Sequence, residues 1–168
     1  TNPTGHTGIV SNTGNYSWTV PVDVRSTACQ FRISDPNNST AEDSSTLFEI
    51  RPVIDVTAPV STTKWTIGTQ AGNNITWTST GPVPAVKIEY SKDNGATYSY
   101  VIANSYDNTT GTFEWNIPVD KDIITTHVFG SEQKGRVKVS DTSLSAIFDE
   151  SALFMVKGAI TVTVPGAA

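Results

Sequence analysis

The chain repeats itself, and a repeat decides what kind of fold is available before any single residue is weighed. The segment GNYSWTVPVD at 14–23 matches GTFEWNIPVD at 111–120, and FRISD at 31–35 matches VKVSD at 137–141. DSSTLFEI at 43–50 matches DESALFMV at 149–156, and IDVTAP at 54–59 matches ITVTVP at 160–165. Four blocks in one order, with tryptophan, prolines and turn acids aligned, mark two copies of one folding unit. The copies are unequal: residues 60–110 have no counterpart ahead of Gly14, and the second copy carries an insertion around 127–134. Residues 1–58 are expected to hold the C-terminal half of one repeat. Residues 59–165 are expected to hold a complete repeat, and 166–168 the start of a linker to a following one. Stretches 54–59 and 160–165 then read as extended junctions in an array, and the chain as a piece of a longer protein.

Every persuasive segment has strand character. NITWT at 74–78, VKIEY at 86–90, TFEWNI at 112–117 and RVKVS at 136–140 alternate apolar and polar residues. This is the period of a half-buried strand, and β-branched and aromatic residues fill it. Gly, Pro, Asn and Asp clusters separate the segments as turns do. In the complete repeat, strands are predicted near 65–69, 74–79, 85–91, 98–103, 112–117, 136–140 and 152–157; only 143–151 has any helical flavour. Seven short strands point to all-β architecture, an immunoglobulin-like or fibronectin-III-like antiparallel β-sandwich, one repeat complete and one partial. The predicted core is Trp65, Ile75, Trp77, Val86, Ile88, Tyr90, Val101, Phe113, Trp115, Ile117, Val137, Val139, Leu153 and Phe154. The half repeat, with strands predicted near 15–20, 29–34 and 46–51, leaves apolar faces and open edges that another segment must complete.

Composition narrows the function classes. Charged residues make up 16% of the chain, against about 25% in an ordinary domain. Ser, Thr, Asn and Gly take their place, a style common in extracellular β proteins. The formal net charge is −5, and the 11 basic residues are scattered. No nucleic-acid partner is expected, because phosphate neutralisation needs clustered Lys and Arg. No apolar run approaches the length of a membrane span. Cys29 is the single cysteine, so no internal disulfide forms and it reads as a small buried hydrophobe. His6 and His127 are unrelated in position. With one cysteine they assemble neither a nucleophile triad nor a zinc site, and no Gly-rich phosphate loop occurs. Asp35 and Asp141, like Asp43 and Asp149, recur at equivalent positions and so read as turn acids of each copy rather than a catalytic pair. The chain is not expected to be an enzyme.

Four features remain as candidate sites. SKDNGATY at 91–98 is a hairpin turn, with Asn94-Gly95 as the turn pair and Asp93 bonding its own backbone. Asp93 with Asp107, Asp120 and Asp122 forms a weak candidate calcium set, since the ligand spacing of a calcium loop is missing; no other cofactor is expected. Asn-x-Ser/Thr triplets start at Asn15, Asn37, Asn38, Asn74 and Asn108. Asn38 and Asn108, in turns, are the glycosylation candidates. Tyr98, Tyr100 and Tyr106 are the candidate aromatic platform for a glycan, against a plainer role in packing the hairpin.

The 91–98 segment resembles the Asp-box of sialidases and other β proteins, where the motif is a structural turn away from the catalytic centre. Residues 60–157 carry, in order, WTIG, ITW, VKIEYS, GTFEWNIP, VKVSD and FMV. In this order they resemble the immunoglobulin-like repeats of large bacterial cell-surface proteins of the S-layer or adhesin type. They are also similar to the N-terminal domain of fungal Ser/Thr-rich cell-wall glucan-assembly proteins. The resemblance implies an extracellular or cell-envelope setting and a structural role, and carries over no catalytic residues. The expectation is a module of a surface layer, stalk or filament that self-associates or contacts neighbouring repeats. A glycan-binding or adhesive module, with cell-wall polysaccharide as partner, is the alternative.

Overall fold

The computed structural model describes residues 11–120, 123 and 134–158. Among them the chain is all-β, with no α-helix, and none is long and apolar enough to cross a membrane. It divides into two compact units, Thr1–Pro52 with Thr80–Pro82, and Val53–Ser79 with Val83–Ala168. The first carries β1 (Ser26–Cys29), β2 (Arg32–Asp35), β3 (Asn38–Ser44) and β4 (Phe48–Ile50). The second carries β5 (Val53–Ala58), β6 (Lys64–Thr66), β7 (Asn74–Thr80), β8 (Ala85–Ser91) and β9 (Tyr100–Asp107). It continues with β10 (Thr112–Glu114), β11 (Arg136–Asp141), β12 (Phe148–Glu150) and β13 (Met155–Lys157).

The second unit is sandwich-like. One sheet runs β10-β7-β5, the other β12-β11-β8-β9, and β13 pairs in parallel with β6. The period of two sets the inner face: Val86, Ile88 and Tyr90 of β8 and Val137 and Val139 of β11 are almost fully buried. From the other sheet come Ile54, Ile75 and Trp77. Aromatic rings fill the centre. Trp65 lies 4.9 Å from Phe154 and 6.0 Å from Trp115, and Tyr90 lies 5.1 Å from Trp115. These tilted and edge-on contacts suit the ring quadrupoles. Each fully buried aliphatic adds about 1.5–3 kcal/mol of transfer energy, which is how this unit holds without a disulfide.

Several expectations are corrected. Val101 is exposed because it pairs opposite Glu89 on the outer face, while Tyr100 opposite Tyr90, Ala103 opposite Ile88 and Tyr106 opposite Val86 pack toward the core with Ile102. Leu153 is only half-buried, while Val156 takes the core position. The 143–151 stretch is not helical, because β12 pairs with β11 across it. Stretch 54–59 is no free junction, since β5 joins the sheet beside β7 and buries Ile54. The predicted strand at 15–20 does not form; its counterpart in β10 pairs with β7, and the described part of the first unit offers no such neighbour.

The first unit is built around two pairings, β1 with β4 and β2 with β3. Its β2–β3 hairpin matches the β11–β12 hairpin over three residue pairs, then continues through a bulge to pair Asp35 with Asn38. Arg32 faces Ser44, Ile33 faces Asp43 and Ser34 faces Glu42, as Lys138 faces Glu150, Val139 faces Asp149 and Ser140 faces Phe148. The Ser45 amide donates to the Phe31 carbonyl at 2.9 Å, and the Ser151 amide to the Val137 carbonyl at 2.8 Å. Ser45 Oγ accepts from the Phe31 amide and Ser151 Oγ from the Val137 amide, both at 3.0 Å. The Asp35 carboxylate accepts the Asn37 amide as Asp141 accepts that of Ser143, both at 2.8 Å. Cys29 opposite Phe48 matches the Gly135–Phe154 bridge.

Candidate functional site

The 91–98 hairpin folds as its residues demand. Asn94 and Gly95 both take positive φ, 68° and 82°, which this pair tolerates best. Ser91 Oγ donates to Asp93 Oδ1 at 2.6 Å and accepts the Gly95 amide at 2.8 Å. Thr97 donates its amide to Asp93 Oδ1 at 2.9 Å and its hydroxyl to Oδ2 at 2.6 Å. Both carboxylate oxygens are thus engaged inside the turn. The Ser91 and Thr97 donors hold the Asp93 carboxyl down at about 2, because they favour its charged form.

The hairpin comes down on the outer face of the β12-β11-β8-β9 sheet. Glu89 on that face is buried between two ammonium groups, Lys87 at 2.6 Å and Lys138 at 3.0 Å. Burial pushes its carboxyl up, but the hydrogen bonds and charges of the two lysines outweigh that and hold it below the ordinary range. Lys138 Nζ also sits 4.3 Å from the Tyr98 ring centre, a cation–π contact. Arg136 pairs with Glu150 at 2.7 Å. Burial, then the adjacent Glu150, push the Tyr98 hydroxyl above the ordinary tyrosine range. This layer braces the sheet: Lys138–Glu89 and Arg136–Glu150 pair across neighbouring strands, the placement that stabilises sheets, and Lys87 adds a contact to Glu89 along β8.

The remaining candidate residues are spread apart. Asp107 accepts the amide and hydroxyl of Thr109, whose hydrogen bonds lower its pKa. Asp120 lines a shallow depression elsewhere, and Asp122 lies outside the described residues. No three His, Cys, Asp or Glu side chains gather into a metal-binding group among the described residues. His6 and His127 also lie outside them, as do 160–165 and 166–168. The three tyrosines do not share a plane. Tyr98 covers the outer sheet face, Tyr100 packs 6.2 Å from Trp115, and Tyr106 wedges against Trp77 and Phe113.

Asn38 opens β3 at an exposed turn, its Oδ1 taking the Thr40 amide and hydroxyl. Asn108 is a clamp. Its Oδ1 accepts Trp77 Nε1–H at 2.5 Å, and its Nδ2 donates to Ser79 Oγ at 2.7 Å and to the Val83 carbonyl at 2.8 Å. A glycan on that nitrogen would replace one of its two hydrogens and so break at least one of these donations. Sequence reasoning missed this role and also missed Asn73, whose buried amide ties Thr69 to the Trp115 carbonyl. An Asn ahead of a predicted Trp strand was the available signal for the second.

The depression beside Tyr100 encloses about 380 Å³ and is lined by Tyr90, Lys92, Ser99, Tyr100, Asp120 and Ile123. Tyr90 Oη closes its floor by donating to the Ile123 carbonyl at 2.8 Å. No family model, curated protein or solved structure matches this chain.

Proposed function

We propose that this chain is a structural module, not an enzyme, of a modular extracellular surface protein: a surface layer, stalk or filament of Ig-like repeats associating through strand edges and junctions. One observation carries the reading. The same hairpin is built twice, in one register, from segments about a hundred residues apart, as a repeat array requires. The strand order favours an Ig-like type, with β10-β7-β5 against β12-β11-β8-β9 and the parallel pair β6–β13 at the margin. β6, which follows the opening strand β5, runs parallel to the last strand β13, a direction in which the chain would enter the unit at one end and leave at the other. Tension along the chain would then load the bonds from Ile67 to Lys157 (3.0 Å) and from Met155 to Thr63 (3.1 Å) in shear.

Sedimentation and negative-stain electron microscopy of the full chain, with and without millimolar calcium, test the reading. Concentration-dependent oligomers, sheets or filaments support it; a monomer under every condition sinks it. A glycan-binding reading keeps one specific support, the depression where Tyr100 stands beside Lys92, Ser99 and Asp120. Titration with wall polysaccharides should then change tryptophan fluorescence through Trp115, and lose that response in Tyr100→Ala.

A further inference from the structure

Among the described residues, the first unit shows β1 to β4 and no strand that matches β7 or β8 of the second. In the second unit, Val137 and Val139 are 0% exposed because β8 pairs along β11 and places Tyr90 and Ile88 opposite them. Their counterparts Phe31 and Ile33 are 46% and 79% exposed. Phe31 is held in a ladder of rings, 5.2 Å from Trp18 and 4.9 Å from Phe48. β2 has β3 on one edge and, among the described residues, no strand on the other. An open edge beside an exposed apolar stripe is a template for strand addition.

We infer that the open edge of β2 is a docking site for an antiparallel strand of the β8 type, from the front half of another repeat of this kind. Three observations select that occupant. The β2–β3 register equals that of β11–β12, so an added strand meets the same backbone frame that β8 meets. The apolar stripe asks for β-branched or aromatic residues at alternate positions, facing Phe31 and Ile33 as Tyr90 and Ile88 face Val137 and Val139. Arg32 stands where Lys138 stands and meets Glu42 at 3.6 Å in an exposed pair. Lys138 binds Glu89 of the strand beside it at 3.0 Å, so a carboxylate facing Arg32 would extend that pair across the new edge. In the second unit β9 and β11 occupy both edges of β8, so the docking strand is one from a front half that lacks a back half of its own.

The inference deepens the assembly reading by naming one edge and its filler. A peptide that docks on a chain forming no assemblies would leave it standing and sink the assembly reading alone. The probe is a synthetic peptide of residues 84–92, titrated into the isotope-labelled full chain and followed by amide shifts and hydrogen exchange. We expect saturable shifts and new protection at Arg32–Asp35, with the β11 amides unchanged. A peptide carrying Glu89→Lys should bind about two- to five-fold more weakly, the range for a cross-strand charge pair. Ile33→Asp in the chain should abolish docking; because Ile33 is exposed, that variant keeps its fold, as unchanged amides of β1, β3 and β4 in the same unit would report. The inference is overturned if a scrambled peptide shifts the same amides, or if Ile33→Asp binds as well as the parent. It is equally overturned if β2 does not respond at the highest soluble peptide concentration. A dimer with β2 already protected before any peptide is added would show that a second copy fills the edge instead.

Discussion

Two hairpins in this chain share a register, a set of hydrogen bonds and much of their sequence, and they live in opposite surroundings. Around β11 and β12 the apolar positions are sealed: Val137, Val139, Phe154 and Val156 are all 0% exposed. Around β2 and β3 the matching Phe31 and Ile33 face solvent, and Phe48 is half-buried. Hairpin geometry is therefore local, carried by Ser45 and Ser151 under the strand and by Asp35 and Asp141 at the turn. Burial is not local. It comes from residues 53–107, which supply β5 to β9 to one copy and have no counterpart beside the other among the described residues.

The comparison can be broken by paired substitutions. Val139→Asp places a charge in a closed core and should unfold the second unit, a loss above about 4 kcal/mol. Ile33→Asp, at the matching position, should stay within about 0.5 kcal/mol. Urea denaturation followed by tryptophan fluorescence separates the two, and equal losses would mean the first unit has a closed core after all.

Truncating the ring cluster is next in size. Phe154→Ala removes a fully buried ring packed against Trp65 and Tyr90 and should cost about 3–5 kcal/mol. Phe48→Ala should cost about 1 kcal/mol or less, because its ring already meets water. Thermal unfolding of both variants measures the gap.

Two matched glycines sharpen the contrast further. Gly14 and Gly111 both have positive φ, 77° and 61°, but a Cβ on Gly111 would lie 2.6 Å from the Trp77 carbonyl oxygen, whereas one on Gly14 would meet nothing within 4 Å. Gly14→Ala then carries only the left-handed backbone cost, about 1 kcal/mol. Gly111→Ala adds displacement of β7 and should lose about twice that or more. Denaturation midpoints decide, and a reversed order would contradict the packing around Trp77.

The smallest effect is in acid. Asp93 in the folded hairpin titrates at about 2, below its ordinary 3.8. A depressed carboxyl stabilises the fold above its unfolded pKa and loses that contribution as pH falls, here between about 4 and 2. Melting temperatures of the parent and of Asp93→Asn should converge across that window. Because the hairpin is solvent-screened, the difference at neutral pH should be modest. A parallel fall in both would assign the acid response to other groups.

Much of this was legible in the chain. Alternation in 86–90 and 136–140 gave two central strands, and the repeat gave the equivalence of the hairpins. The turn SKDNGATY carried its own hydrogen-bonding instructions. The strand at 53–58 was not legible, because an extended stretch ending in proline reads equally as a linker until β7 lies beside it. The inward turn of Tyr100 and Tyr106 was hidden too, since it is set by their pairing opposite the buried Tyr90 and Val86 of β8. Asn108 looked like an accessible acceptor, and only the arrival of Trp77, Ser79 and Val83 makes it a clamp.

The sequence by itself determined the central strands of the second unit, the 91–98 turn and the shared register of the two hairpins, because those follow from alternation and from donors a few residues away. The tertiary structure alone decided which apolar faces are closed. Phe31 and Val137 occupy the same place in the same hairpin, and the difference between them lies in a strand that neither residue can encode.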